Sequence, residues 1–136
     1  MESIASSASR ACIDCNAVLC IVVTKDGENA RLVTKYRPNV PVVVVSDSHL
    51  VVQHASACFG QYGCHVPTIE NIFSRHGPVF VGLDMAKKEG LLPQEGGEVV
   101  VVAESSTGMF FLSSFSVSKK SGTDENIVET RNIVET

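Results

Sequence analysis

Tryptophan is absent from the 136 residues, and aromatic side chains make up only 6%. The core must therefore be assembled mainly from Val, Leu, Ile and Ala. No apolar run approaches the roughly 20 residues that cross a bilayer. The longest β-branched runs, Val40–Val45 (broken by Pro41) and Val99–Val102, are strand-sized. A basic excess is also missing. Eleven Lys and Arg stand against 15 Asp and Glu, for a net charge of −4. Only Lys87-Lys88 and Lys119-Lys120 are adjacent, so the chain has no basic footprint for nucleic acid. Residues Met1 to Ala5 place no basic region before an apolar stretch, which argues against a secretory signal. Five cysteines, an odd number, in a chain without the composition of a small secreted scaffold suggest reduced thiols in the cytosol. Neither Gly-x-x-x-x-Gly-Lys-Ser/Thr nor Gly-x-Gly-x-x-Gly occurs.

What is present is apolar patterning. At 44% hydrophobic and 19% charged, the chain is too apolar and too weakly charged for disorder. Its length suits one domain. Ile4, Ala5, Ala8, Ala11 and Cys12 recur at helical spacing, which predicts a helix over Ser3–Ile13 with Ser3 as its N-cap. Ala17–Thr24 is apolar without alternation, as expected of a strand buried on both faces. Lys25-Asp26-Gly27 turns the chain into a helix over Glu28–Tyr36, which Pro38 ends. Val40–Ser46 predicts a second buried strand. Asp47-Ser48 caps a short helical or irregular stretch to about Cys58, Gly60–Pro67 is glycine-rich and fits no one element, and a short third strand is expected near Cys64–Val66. Gly77-Pro78 opens a helix that runs to Glu89 and stops at Gly90. Glu98–Ala103 reads as another buried strand. Met109–Val117 alternates, as an edge strand with one wetter face does. The alternation predicts an α/β fold with a mainly parallel sheet flanked by helices. The Glu104–Gly108 turn is too short for a parallel crossover, so the last strand should run antiparallel. Residues 1–118 form the expected domain and 119–136 a polar, mobile tail. Within that tail Asn126-Ile127-Val128-Glu129-Thr130 recurs as Asn132-Ile133-Val134-Glu135-Thr136.

Few residues point to chemistry. Cys12-x-x-Cys15 has the spacing of a zinc or redox half-site, but no second pair completes it. His49, His54, His65 and His76 stand apart from any nucleophile at a recognisable spacing. No metal site and no catalytic site is expected. The informative element is Thr24-Lys25-Asp26-Gly27-Glu28-Asn29, where a strand ends and a helix begins. Free N–H groups at a helix N-terminus attract phosphate. The competing reading is that Asp26 caps its own helix while Glu28 complements the dipole.

Those residues carry a resemblance. Ser3–Ala8, Thr24-Lys25-Asp26-Gly27 and Ala30-Arg31-Leu32-Val33-x-Lys35-Tyr36-Arg37-Pro38-x-x-Pro41 resemble the C-terminal domain of pyruvate kinase. Ala86-Lys87-Lys88-Glu89-Gly90-Leu91-Leu92 and Gly97–Val102 are similar to the family's second characteristic stretch. The resemblance covers about Glu2 to Val117. It implies a five-stranded, mostly parallel sheet flanked by helices, with the last strand antiparallel at the edge. It also implies a regulatory and subunit-assembly domain that is catalytically silent alone. The parent reaction converts phosphoenolpyruvate and ADP to pyruvate and ATP. Its substrate, magnesium and potassium sites belong to a barrel domain and a lid domain, so no cofactor is expected in this chain.

The resemblance further implies a sugar-bisphosphate effector with one phosphate in the turn Thr24, Lys25, Asp26, Gly27, Glu28 and Asn29. Here Asp26 and Asn29 stand at hydroxyl positions, and Glu28 at a frequently basic one. A unit-charge pair about 6 Å apart repels by roughly 0.7 kcal/mol in water and about 3 at an effective dielectric of 20. Weak or no binding is expected. The acidic Glu104–Gly108 turn departs in the same direction. The segment Phe59-Gly60-Gln61-Tyr62-Gly63 lacks the arginine the family carries there. Partners implied by the resemblance are the parent's barrel domain and a second copy, met through Ser3–Ile13 and Met109–Val117. The alternative is a stand-alone ligand-binding or oligomerisation module, with the acidic turn serving a cation or an amine. Met1 directly before the first helix fits a fragment or a separate gene equally.

Overall fold

A computed structural model describes residues 2–36, 38–58, 60–70, 72, 77–93, 96–104, 110–119 and 126–135. The elements are α1 (Glu2–Asp14), β1 (Leu19–Val23), α2 (Glu28–Lys35), β2 (Val42–Ser46), α3 (His49–Ala57), β3 (Gln61–His65), α4 (Pro78–Lys88), β4 (Gly97–Glu104), β5 (Phe110–Lys119) and β6 (Asn126–Glu135). They build one sheet in the order β3-β2-β1-β4-β5-β6. The first four neighbours run parallel, and β5 and β6 are each antiparallel to the strand before.

Register explains why β1, β2 and β4 read as unbroken apolar runs. Cys20 lies beside Val42 and Val100, and Ile21 beside Val43 and Val101. The first row, with Val22, Val44 and Val102, faces a layer that includes Ala5, Ala8 and Cys12 of α1 and Leu32 and Val33 of α2. The second row, with Leu19, Val23, Val45 and Val99, faces Val79, Leu83 and Ala86 of α4. Both faces are thus covered, so the central positions of these strands are apolar. Burying one such side chain contributes roughly 1.5–3 kcal/mol. Small residues let the helices approach. The Cβ that an alanine would place at Gly82 lies 3.0 Å from a Val45 methyl.

The helix signals act as expected at three places. Ser48 caps α3 by accepting the Val51 N–H. Pro78 sits in the first turn of α4, and Gly90 follows that helix with φ +73°. By contrast, Ser3 lies inside α1 rather than capping it. No described helix is long and apolar enough to cross a membrane.

The sheet corrects the strand count. Five strands were expected, with Met109–Val117 at the edge. Instead Asn126–Glu135, in the segment expected as a mobile tail, pairs along β5 from Lys119↔Asn126 to Phe111↔Glu135. The physical reason is the sequence of the repeat. Both copies carry Ile, Val and Thr, which favour extended structure, and β5 would otherwise present an unpaired ladder. The register shifts between Ser114 and Phe115, so Ser114 faces Asn132 while Phe115 faces Thr130. Arg131, between the two copies, is the extra residue of a bulge. Met109, the 105–108 part of the Glu104–Gly108 turn, Phe59 and His76 lie outside the described residues.

Candidate functional site

The chain leaves β1 toward β2 and β3 on one side, then crosses back to β4 on the other. Beyond the carboxyl ends of β1 and β4 lies the switch point where open α/β sheets form a crevice. The turn after β1 is the Thr24–Asn29 segment.

Its geometry is self-contained. Thr24 is fully buried, and its N–H donates to the Val45 carbonyl, extending the parallel ladder by one residue. The Gly27 N–H donates to Thr24 Oγ1 at 3.0 Å. The Glu28 N–H donates to Asp26 Oδ1 at 3.0 Å. Gly27 itself is the cap residue, at φ +87°, a left-handed conformation that glycine adopts without steric cost. Asp26 therefore satisfies a first-turn donor from one residue earlier than a conventional cap, as an Asx turn. Two N–H groups that could hold an anion are already taken by the turn's own side chains.

Charge reinforces this closure. Glu28 makes a two-point contact with Arg31, with Oε1 2.5 Å from Nη2 and Oε2 3.2 Å from Nε. The guanidinium holds the Glu28 carboxyl below its ordinary pKa. Lys25 and Asp26 are exposed. Asn29 behaves differently. It is 1% exposed, and among the described residues neither its amide nitrogen nor its oxygen finds a partner. It shares the buried face of α2 with Ala30, Leu32 and Val33. An orphaned carboxamide costs roughly 1–3 kcal/mol. Nothing in the sequence distinguishes this asparagine from a surface one.

Between α2 and α3 lies a cleft of about 460 Å³, lined among others by Gly27, Arg31, Thr34, Val51, His54 and Gln61. Gln61 is buried at the start of β3 and ties the cleft's far end to α2. Its Nε2 donates to the Ala30 carbonyl at 3.3 Å and to Thr34 Oγ1. The expected third strand thus begins three residues earlier than the sequence indicated, and its first residue is a polar clamp.

The remaining candidates disperse. All five cysteines are free thiols. Cys12 and Cys20 meet inside the α1 layer, where a hydrogen bond from Cys20 lowers the Cys12 pKa. That bond, with burial, pushes Cys20 well up. Cys15 is half-buried and takes no part in that pair. His54 lies on the cleft wall. His49 and His65 stack with ring centroids 3.8 Å apart and planes 6° from parallel, and His65 Nε2 lies 3.2 Å from the Asp47 carbonyl oxygen. Sequence spacing could not show that contact, because the rings come from α3 and β3. Among the described residues no group of three or more His, Cys, Asp or Glu could hold a metal ion.

Comparison with known proteins agrees with this architecture. Residues 2–111 match the family model described as pyruvate kinase, alpha/beta domain. A pyruvate kinase of Dictyostelium discoideum is 35% identical over 103 residues, which are 75% of this chain and 19% of that protein. A cytosolic isozyme of pyruvate kinase from Nicotiana tabacum is 47% identical over 45 residues, 33% of this chain and 9% of that protein. Among solved structures, Cryptosporidium parvum pyruvate kinase superposes with a TM-score of 0.63 at 28% identity, covering 75% of this chain and 20% of that one. The chain spans about a fifth of the length of the first of these relatives.

Proposed function

The chain belongs to the pyruvate kinase family through its C-terminal α/β domain, and on that premise we propose that it acts as a regulatory and subunit-assembly domain, silent as a catalyst by itself. The parent reaction, from phosphoenolpyruvate and ADP to pyruvate and ATP, belongs on this reading to a barrel and a lid outside this chain. Magnesium and potassium would on this reading be held there as well. Two plant relatives are cytosolic isozymes, which supports a cytosolic place for this chain.

The observation that carries the reading is the closed turn. Thr24 and Asp26 take the N–H groups of Gly27 and Glu28, and Glu28 adds a second carboxylate. A sugar bisphosphate would have to displace Asp26 from the Glu28 N–H and approach its charge. The closed turn speaks against a sugar bisphosphate as the regulator, and for the assembly side of the role Ile13 on α1, 57% exposed, supplies apolar surface. The barrel domain of the parent and a second copy of this chain are the proposed partners. Calorimetric titration with fructose 1,6-bisphosphate tests the effector side, and no heat from folded chain is expected. Clear one-to-one binding would overturn the argument from the closed turn. Sedimentation tests assembly. The chain should self-associate at raised concentration, and Ile13→Glu should weaken that association.

The cleft between α2 and α3 favours a second reading. Its size is within the range of small-molecule sites, so a stand-alone ligand-binding module could use it. Asp26 at its rim suits a cation or an amine, while Glu28 is engaged by Arg31. A thermal shift produced by small aliphatic or aromatic amines, and removed by Val51→Trp in the cleft wall, would favour this reading over assembly.

A further inference from the structure

The register of β6 bears on assembly. β5 pairs with β4 on one side through eight positions, Gly97↔Val117 to Glu104↔Phe110. Its other side is covered by β6 through nine, interrupted only at the bulge. Without β6, β5 would be the sheet's terminal strand and would present a row of unpaired N–H and C=O groups, which is a template for another strand. A second copy offers a strand of the same kind. Two β5 strands related by a two-fold axis normal to the sheet would run antiparallel, the geometry of a self-complementary contact. β6 also runs antiparallel to β5, so it lies where a partner's β5 would lie.

We propose that β6 is a built-in competitor for subunit pairing, a strand that caps β5 within the chain and must leave before β5 can pair with a second copy. The inference rests on the assembly reading. The repeat fits a cap that can leave in part. The copy Asn126–Thr130 covers Phe115–Lys119, and the copy Asn132–Glu135 covers Phe111–Ser114. The bulge at Arg131 divides the ladder between them. Each half is a short ladder, so one can open while the other stays paired.

The test compares the full chain with Val128→Pro/Val134→Pro by sedimentation equilibrium. Val128 lies opposite Val117, and Val134 opposite Leu112. These are odd and even positions of β5, so one proline falls on a hydrogen-bonded pair whichever way the ladder alternates. A chain ended at Lys119 serves as a second variant. Amide exchange of β1 and β2 establishes that each variant keeps its fold. The expected result is a dimer at least tenfold tighter in both variants, with β5 amides that exchange faster in the variant monomers than in the full-chain monomer. Equal dissociation constants for all three chains would overturn the cap and leave assembly standing. Absence of self-association in all three at millimolar concentration would overturn both. Fast exchange of β5 amides in the full-chain monomer would overturn the cap regardless of the oligomer.

Discussion

The Asp26 carboxylate accepts the backbone N–H of Glu28 at 3.0 Å. One acidic residue thereby fills, from inside the chain, a place at the start of α2 where an anion would bind. Replacing Asp26 and Glu28 with Ser and Arg removes two negative charges and adds a positive one. D26S/E28R should bind a sugar bisphosphate more tightly than the natural chain by calorimetry. No gain would mean that the crevice lacks the rest of the pocket. Asp26→Ala alone should cost about 1 kcal/mol of stability in urea unfolding, the usual effect of losing a side chain that holds a helix's first donors.

Asn29 gives an opposite prediction. Its buried carboxamide has no partner among the described residues. Asn29→Leu, which keeps the volume and removes the polar atoms, should raise the unfolding free energy by about 1–2 kcal/mol. A shift of the urea midpoint to lower concentration would show that the carboxamide is satisfied in solution.

Gly63 sits where α3 crosses β3. An added Cβ would lie 2.4 Å from the Val52 carbonyl oxygen and 2.6 Å from Ser56 Oγ. The first of these atoms is backbone and cannot swing away. Gly63→Ala should therefore destabilise the chain by about 2 kcal/mol, the usual scale of overpacking. Differential scanning calorimetry of the two proteins checks this.

The Glu28–Arg31 pair predicts a pH effect with a definite sign. The guanidinium lowers the Glu28 pKa in the folded chain. Its stabilising contribution is therefore present above the unfolded pKa and is lost as pH falls through the folded value. Glu28 is exposed, so the readout is local. An NMR titration of the Glu28 carboxyl should show its midpoint rising toward the ordinary value of about 4.3 in Arg31→Met.

Thiol labelling separates the cysteines by burial. Cys58 is exposed and Cys15 half-buried, while Cys12, Cys20 and Cys64 are buried. Burial also raises the Cys64 pKa. A disulfide reagent should modify Cys58 first and Cys15 next. The other three should react only as fast as the fold opens. Rapid modification of Cys12 would show that α1 detaches from the sheet.

Much of the fold was legible because its signals are local. The runs rich in β-branched residues at Leu19–Val23 and Val42–Ser46, bounded by turn residues, read as strands covered on both faces, and the structure places them so. Ser48, Pro78 and Gly90 punctuate helices through their own backbone preferences. Gln61 was not legible as a clamp, since its partners Ala30 and Thr34 are about thirty residues away along the chain. The His49–His65 stack and the Cys12–Cys20 contact were hidden because each joins residues of two different elements that only the packing of helix on sheet brings together.

The sequence by itself determined the α/β alternation, the two-faced core, the antiparallel sense of β5 and the acidic character of the turn after β1. Each follows from periodicity, residue volume or charge within a few neighbours. Only the tertiary structure decided that Thr24 and Asp26 close that turn, that Asn29 is buried without a partner, and that the tail supplies a sixth strand. Those outcomes depend on which groups the sheet brings within hydrogen-bond reach, a condition set by strand order and register across the whole chain.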